Sequence, residues 1–433
     1  MSAYNRYQGA MCGENEYLFR QVLRNEWDFD GFTICDFVWG VKDTVASASS
    51  GLDIEMPITH FYGEKLLEAV REGEVTEQTI DESALRIIRT LLAHEHFIEE
   101  HKKEGSCDYR KHQELALRCA GEGITLLKNE DQLLPIDCKK GKKIVVLGSY
   151  ADRENIGDRG SSQVYAPYVV TILQGITEYP ADVEVIYYSG ESASHCRRLA
   201  KEADVVVIVA GNDYLDAVVV LVGGSMILMD EWKDQVGAIL MAYYPGMEGG
   251  KAVADVLFGK TNPGGKLPFV IPKKEEDLPE IDWDAEEFRY DYYHGYTLLN
   301  KSHVKPLYPF GYGLSYTTFT LAGMKAWRDE ENLYASVIVK NTGKREGSEV
   351  VQMYVGAADS KVERPEYVLK DFQKIRLDVG EAKEVKLVCP IREMAYFDEG
   401  RNEFVAEFSI PYEVYVGTVS YTHLRAHETE LHL

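Results

Sequence analysis

Hydrophobic and polar positions change their period twice along the 433 residues. Up to about residue 100, short apolar runs alternate with stretches of helical spacing. Phe32-Thr33-Ile34-Cys35 and Gly51-Leu52-Asp53-Ile54-Glu55-Met56 are such runs, and both fit buried parallel strands. Residues 14–27 place Tyr17, Leu18, Val22 and Leu23 at helical spacing. Asp43 to Ser50 reads as a helix of small residues, and 62–99 as helical with start signals at Thr76-Glu77 and Asp81. A second block, about 107–275, repeats the alternation with runs at 143–148, 203–209 and 217–222. Strand alternating with helix predicts an α/β fold with a parallel sheet. From about 316 to 420 the period drops to two, as in Ala335-Ser336-Val337-Ile338-Val339 and Tyr412-Glu413-Val414-Tyr415-Val416. Asn341-Thr342-Gly343 and Asp398-Glu399-Gly400 supply turns. About seven short strands over roughly a hundred residues predict a β-sandwich of immunoglobulin or fibronectin type.

The expected organisation is therefore α/β plus all-β. Residues 1–100 and 107–275 form α/β blocks, 276–315 a Tyr-rich connector, 316–420 the sandwich and 421–433 an unrelated tail. Two lengths are short for complete domains. The strand ending near Ala210 and the one starting near Ala217 are about seven residues apart, whereas a parallel crossover needs a dozen or more. Either they form an antiparallel hairpin or a segment is missing. The first block, likewise, holds only about two strand–helix units, too few to bury a parallel sheet alone.

Charge narrows the partners. Lys and Arg total 47 against 71 Asp and Glu, a net charge of −24. Nucleic acid and anionic membrane both need a basic footprint, so neither is expected, and a neutral ligand suits the chain. No run of ~18 uncharged apolar residues is present to form a membrane-spanning helix. The seven cysteines are irregularly spaced with no CxxC pair, which reads as reduced, mostly buried thiols rather than a zinc or redox site. The first residues carry no apolar signal-peptide core. Together these favour a cytoplasmic location. The last residues, YTHLRAHETELHL, hold three of the eleven histidines and continue no preceding pattern, so they are set aside as a tail.

Several motifs are specific enough to carry a resemblance. They are Met1-Ser2-Ala3-Tyr4-Asn5-Arg6, Gly31-Phe32-Thr33-Ile34-Cys35-Asp36-Phe37, Gly51-Leu52-Asp53-Ile54-Glu55-Met56-Pro57, and Gly123-Ile124-Thr125-Leu126-Leu127-Lys128-Asn129. Further along come Gly157-Asp158-Arg159-Gly160-Ser161-Ser162, Tyr244-Pro245-Gly246-Met247-Glu248-Gly249-Gly250, Asn262-Pro263-Gly264-Gly265-Lys266-Leu267-Pro268 and Pro309-Phe310-Gly311-Tyr312-Gly313-Leu314-Ser315-Tyr316. In this order they resemble glycoside hydrolase family 3, the β-glucosidase-like group, over nearly all of 1–420.

The resemblance implies a (β/α)₈ barrel, an α/β sandwich and a fibronectin type III-like domain. A barrel takes ~250 residues, so only its C-terminal part would be present in 1–100. It also implies an insert between Ala210 and Ala217, usually carrying the general acid, which this chain lacks. The implied activity is that of a retaining exo-acting β-glycosidase, β-glucosidase first and β-xylosidase second. The substrate would be an oligosaccharide or glycoside, no cofactor or metal is called for, and a homodimer is left open.

Asp36 matches the family nucleophile. Read by position alone, it is rather a cap of the following helix. Tyr4 is implied to face it, and Phe37 stands where the family usually has Trp. Core packing is the alternative for both aromatics. No acid/base matches: Asp213 and Asp216 lie where the insert would begin but read as solvated loop acids. Arg159, Ser161 and Ser162 lie on a loop that could reach the barrel mouth or simply turn. Gly223-Gly224-Ser225 lacks the Lys of a phosphate loop, and Glu248 and Lys266 read as turn residues. Two other readings remain open. One is a non-catalytic glycan-binding or interaction protein. The other is an incomplete copy that aggregates through exposed strands.

Overall fold

The computed structural model describes residues 1–100, 109–137, 141–157, 162–179, 182–209, 217–282, 284–285, 291–408, 410–420 and 423–425. It divides into two compact units, Met1–Cys107 and Asp108–Leu433.

In the first unit the strands β1 (Arg6–Tyr7) and β2 (Ala10–Met11) form a small hairpin. The two apolar runs expected as strands are extended but make only one parallel bridge, Ile34 to Ile54. Around it the Cys35 N–H donates to Ile54 O (3.0 Å) and the Ile54 N–H to Thr33 O (3.1 Å), while the Ser2 N–H reaches Ile34 O on the other side (2.9 Å). The helix expected over 14–27 is a π-helix, Tyr17–Glu26. Helix α1 (Thr44–Ser50) starts where Asp43 accepts from the Ala46 N–H and stops at Gly51, whose φ is 104°, a conformation open to glycine. Gly73 interrupts the long helical stretch, leaving α2 (Glu64–Arg71) and α3 (Glu77–Glu100).

In the second unit helix α4 (Tyr109–Gly123) precedes a six-stranded sheet. Its strands are β3 (Thr125–Asn129), β4 (Lys142–Leu147), β5 (Val183–Tyr188), β6 (Val205–Val209), β7 (Ala217–Val222) and β8 (Ala238–Tyr243), in the order β3-β8-β7-β6-β4-β5. Only β3 runs antiparallel to its neighbour. Both faces are covered, which explains the continuous apolar runs. Ile144, Val146, Val207 and Val220 pack with helices α5 (Ile172–Thr177) and α7 (Gly249–Leu257). Val145, Val206, Ile208 and Val219 pack on the opposite face with Leu199 of α6 (Ala193–Lys201), Leu267 and Ile271. The hairpin alternative for β6 and β7 is excluded: Val206 pairs in parallel with Ala217 and Val209 with Val220.

Helix α8 (Gly295–Lys301) lies before the sandwich. One sheet is β9 (Phe319–Arg328), β10 (Asn332–Asn341) and β13 (Ala382–Pro390). The other is β11 (Gly347–Gly356), β12 (Val368–Leu377), β16 (Glu413–Gly417) and β17 (His423–Arg425). The short pair β14 (Tyr396–Asp398) and β15 (Glu403–Val405) stands apart. Alternate residues Leu333, Ala335, Val337 and Val339 meet Val351, Met353, Val355, Val414 and Val416 in the core. Residues 423–425 of the tail set aside on sequence are not separate from the fold: their backbone extends the second sheet, Leu424 opposite Val416. An edge strand leaves unpaired N–H and C=O groups, and any extended segment that follows can take them.

Candidate functional site

In the first unit the site is built from the segment holding Asp36. A buried carboxylate beneath it fixes that segment. The Asp53 side chain is fully buried and accepts from the Thr33 N–H (2.7 Å), the Thr33 hydroxyl (3.0 Å) and Arg24 Nη2 (3.1 Å), and pairs with Arg86 Nη2 (2.8 Å). Burial without partners would be prohibitive. Two guanidiniums and the two Thr33 donors make it a clamp that ties the two extended runs together.

Asp36 follows the bridged segment and is half-buried. Its Oδ1 accepts from the Phe37 N–H at 2.8 Å. The Tyr4 hydroxyl donates to Phe37 O at 2.8 Å. Partial desolvation, and then the Asp36 carboxylate it faces, hold the Tyr4 phenol above its ordinary pKa. Tyr4 and Asp36 are thus brought together, and Phe37 beside them is 44% exposed. The next turn is strained: Val38 has φ of +68°, costly for a β-branched residue. It is held there by its N–H on Met56 O (3.0 Å) and the Trp39 N–H on Phe37 O (2.8 Å). At the far side of the turn the Glu14 carboxylate accepts from the Lys42 and Asp43 N–H groups. A pocket of about 260 Å³ opens between this turn and residues 55–61.

The second unit has a reversal of strand order. In the sheet order the chain moves from β4 outwards to β5, then returns to the other side of β4 at β6. Ligands of open α/β sheets bind at the carboxyl ends of strands at such a reversal. Gly148 follows β4 there with φ of 105°, and a Cβ on it would lie 2.3 Å from Val209 O. The sequence candidates Asp213, Asp216, Arg159 and Ser161 lie outside the described residues, and Ser162 is exposed.

The remaining motif residues are structural. The buried Glu248 carboxylate accepts from the Tyr168 hydroxyl. Desolvation, then Glu248, pushes that phenol up to about 12. Lys266 joins Glu349 of β11 (2.7 Å) and Gly313 O (2.8 Å). The Gly223 N–H continues the β7–β8 pairing onto Tyr243 O. Among the described residues no cluster of His, Cys, Asp and Glu could hold a metal ion.

Sequence reasoning missed Asp53, Glu55, Val38 and Trp39. Asp53 left one signal, an acid inside an apolar run, which demands a cation from elsewhere. Arg24 and Arg86 sat in helical segments on either side. The turn at Val38 left none.

Comparison with known proteins bears directly on this architecture. The profile of the glycosyl hydrolase family 3 N-terminal domain matches residues 1–90, and that of a fibronectin type III-like domain matches 349–420. The glycosyl hydrolase family 3 C-terminal domain matches twice, at 124–216 and 214–316. Thermostable beta-glucosidase B of Acetivibrio thermocellus is 34% identical over 92% of this chain and 58% of its own length. A beta-xylosidase of Formosa agariphila is 28% identical over 94% of this chain and 65% of its own. The structure of beta-glucosidase 3B from Thermotoga neapolitana in complex with glycerol superposes with a TM-score of 0.85 at 30% identity. It covers 98% of this chain and 70% of that one. These are enzymes that cleave glycosidic bonds. The chain belongs to glycoside hydrolase family 3. It spans about 58–65% of the length of the two relatives named first. The alignment to the Acetivibrio enzyme runs over 449 positions, more than this chain's 433 residues, so that relative carries residues without a counterpart here.

Proposed function

We propose that the chain carries the nucleophile half of a retaining, exo-acting β-glycosidase, with a terminal β-glucoside as first substrate and a β-xyloside as second. The observation behind this is the Asp36 carboxylate at the end of the clamped segment, with the Tyr4 phenol facing it. In this reading an Asp36 oxygen attacks the anomeric carbon as the glycosidic C–O bond breaks. The leaving oxygen takes a proton from a general acid or departs as an anion. Water then attacks the same carbon, the ester to Asp36 breaks, and the carboxylate returns. Tyr4 orients Asp36, and the Phe37 face packs on sugar C–H bonds.

The general acid would come from the stretch missing between β6 and β7. The two matches to the C-terminal domain meet at 214–216, inside that connection, which supports this placement. Turnover of ordinary glycosides is then weak, since general acid catalysis contributes ~10²–10⁴-fold. Reaction with a 2-deoxy-2-fluoroglucosyl donor tests the proposal. It expects a mass gain of one fluoroglucosyl group, abolished in Asp36→Asn. The same missing stretch favours a second reading, a glycan-binding protein without turnover, for which no adduct forms.

A further inference from the structure

We infer that the second unit carries a sugar site of its own, in the cleft between its α/β layer and its sandwich, which takes a neutral polyhydroxylated molecule such as a single pyranose. The cleft holds about 340 Å³, at the lower end of the ~300–1,000 Å³ of ligand pockets. Its walls are helix α4, the loop 260–264 after α7, and the facing residues of β11 and β12. All of them belong to the second unit, and the inference does not rest on the role of Asp36.

The walls are held in place without a ligand. Asn262 ties the loop to the sandwich. Its Nδ2 donates to Glu346 O (2.8 Å), and its Oδ1 accepts from the Ser315 hydroxyl (2.9 Å) and the Tyr316 N–H (2.8 Å). Lys374 Nζ of β12 reaches the last turn of α4, at Glu122 O (3.1 Å) and Glu122 Oε2 (2.6 Å). Lys260 pairs with the buried Asp255 at 3.1 Å, and Arg376 with Glu346 at 2.5 Å. Each of these three cations thus has its acid, and the pairs leave no net charge for an ion to answer.

The groups left over decide the class of ligand. Glu114 and Arg118 stand one turn apart on α4 with the acid first, a spacing that ordinarily pairs. Among the described residues neither makes an ion pair or a side-chain hydrogen bond, and the Thr261 and Ser348 hydroxyls have no partner either. One carboxylate, one guanidinium and two hydroxyls therefore line a single cleft unsatisfied. An inorganic anion could use Arg118 but would meet Glu114, on a chain of net charge −24. A metal cation would meet Arg118. A sugar hydroxyl donates and accepts at once, so a ring carrying several can answer all four groups. Leu117 of the lining supplies an apolar contact for its C–H face.

Binding of D-glucose to the full chain tests this. Saturation-transfer NMR gives the affinity, and a Kd on the order of 1 mM is expected for so small a ligand. Hydrogen exchange read by mass spectrometry at about 10 mM glucose gives the place. Slower exchange is expected in peptides covering 109–123 and 259–264. Glu114→Ala and Arg118→Ala, both at exposed helix positions, should each weaken that protection and the binding behind it about fivefold or more with Tm unchanged. Arg110→Ala, on the same helix outside the lining, should not, and Asp36→Asn should leave the protection in place. Inorganic phosphate at equal concentration should not displace the sugar. The inference is overturned by no glucose binding, by protection confined to residues 1–100, by protection that survives both helix variants, or by phosphate bound in place of glucose.

Discussion

Gly40 lies so close against Asp36 that a Cβ on it would sit 2.5 Å from the Asp36 carbonyl oxygen and 2.8 Å from its nitrogen. These atoms are backbone, so no rotamer change relieves the clash. Gly40→Ala has to push Asp36 or the turn after it. The expected cost is about 1–3 kcal/mol, read as a lowered Tm, together with slower fluoroglucosyl labelling. Undiminished labelling would mean that the position of Asp36 does not depend on this contact.

The Asp53 clamp predicts a larger effect. Asp53→Asn leaves Arg24 and Arg86 facing a neutral amide in a buried setting. Removing one partner of a buried pair costs about 3–5 kcal/mol. Glu363→Gln alters an exposed carboxylate that pairs with Lys301 and accepts from the Tyr293 hydroxyl, and should cost at most about 1 kcal/mol. Denaturant unfolding followed by tryptophan fluorescence compares the two, and similar midpoints would contradict the clamp.

A third prediction concerns acid. In the sandwich, burial opposes the Glu407 charge. Ser360, the Lys361 N–H and Arg364 outweigh it and hold the carboxyl below its ordinary value of 4.5. The folded chain thus keeps this group ionised to lower pH than the unfolded chain. Its stabilisation is complete above the unfolded pKa and is lost as pH falls through the lower folded value. Tm should drop between about pH 5 and 3, and Glu407→Gln should flatten that drop while lowering Tm at pH 7. An unchanged slope would remove Glu407 as its source.

The proposed loss of the general acid makes a kinetic prediction. The chain should favour a dinitrophenyl leaving group over an alkyl one far more than a complete enzyme does. Grafting the corresponding stretch of the Acetivibrio relative between Ala210 and Ala217 should raise alkyl glycoside turnover by ~10²–10⁴-fold. It should change the dinitrophenyl rate little. Equal gains on both would point to a folding defect instead.

Much of the fold was legible because local chemistry agreed with it. Asp43 and Gly51 bracket a run of small residues, and the helix lies between them. Alternation at 333–339 and 412–416 predicted strands with one buried face. The parallel sheet was legible from uncharged runs, but the direction of β7 relative to β6 was not, since it depends on a connection too short for the usual rule. The run Phe32–Cys35 looked like a full strand yet makes one bridge. A strand is defined by its neighbours, and here only Ile54 pairs with it. Periodicity also cannot tell an α-helix from the π-helix at 17–26. At the site the motif singled out Asp36. Tyr4 against Phe37 O, and Arg24 with Arg86 on Asp53, are contacts across 29–33 residues that no local pattern encodes.

The most direct test of the account is to map the fluoroglucosyl adduct by peptide mass spectrometry after labelling the folded chain. The prediction is a single modified peptide containing Asp36, absent in Asp36→Asn and formed more slowly in Tyr4→Phe. An adduct on another carboxylate, or none on a chain whose unfolding is cooperative, would contradict the assignment of Asp36 as the nucleophile.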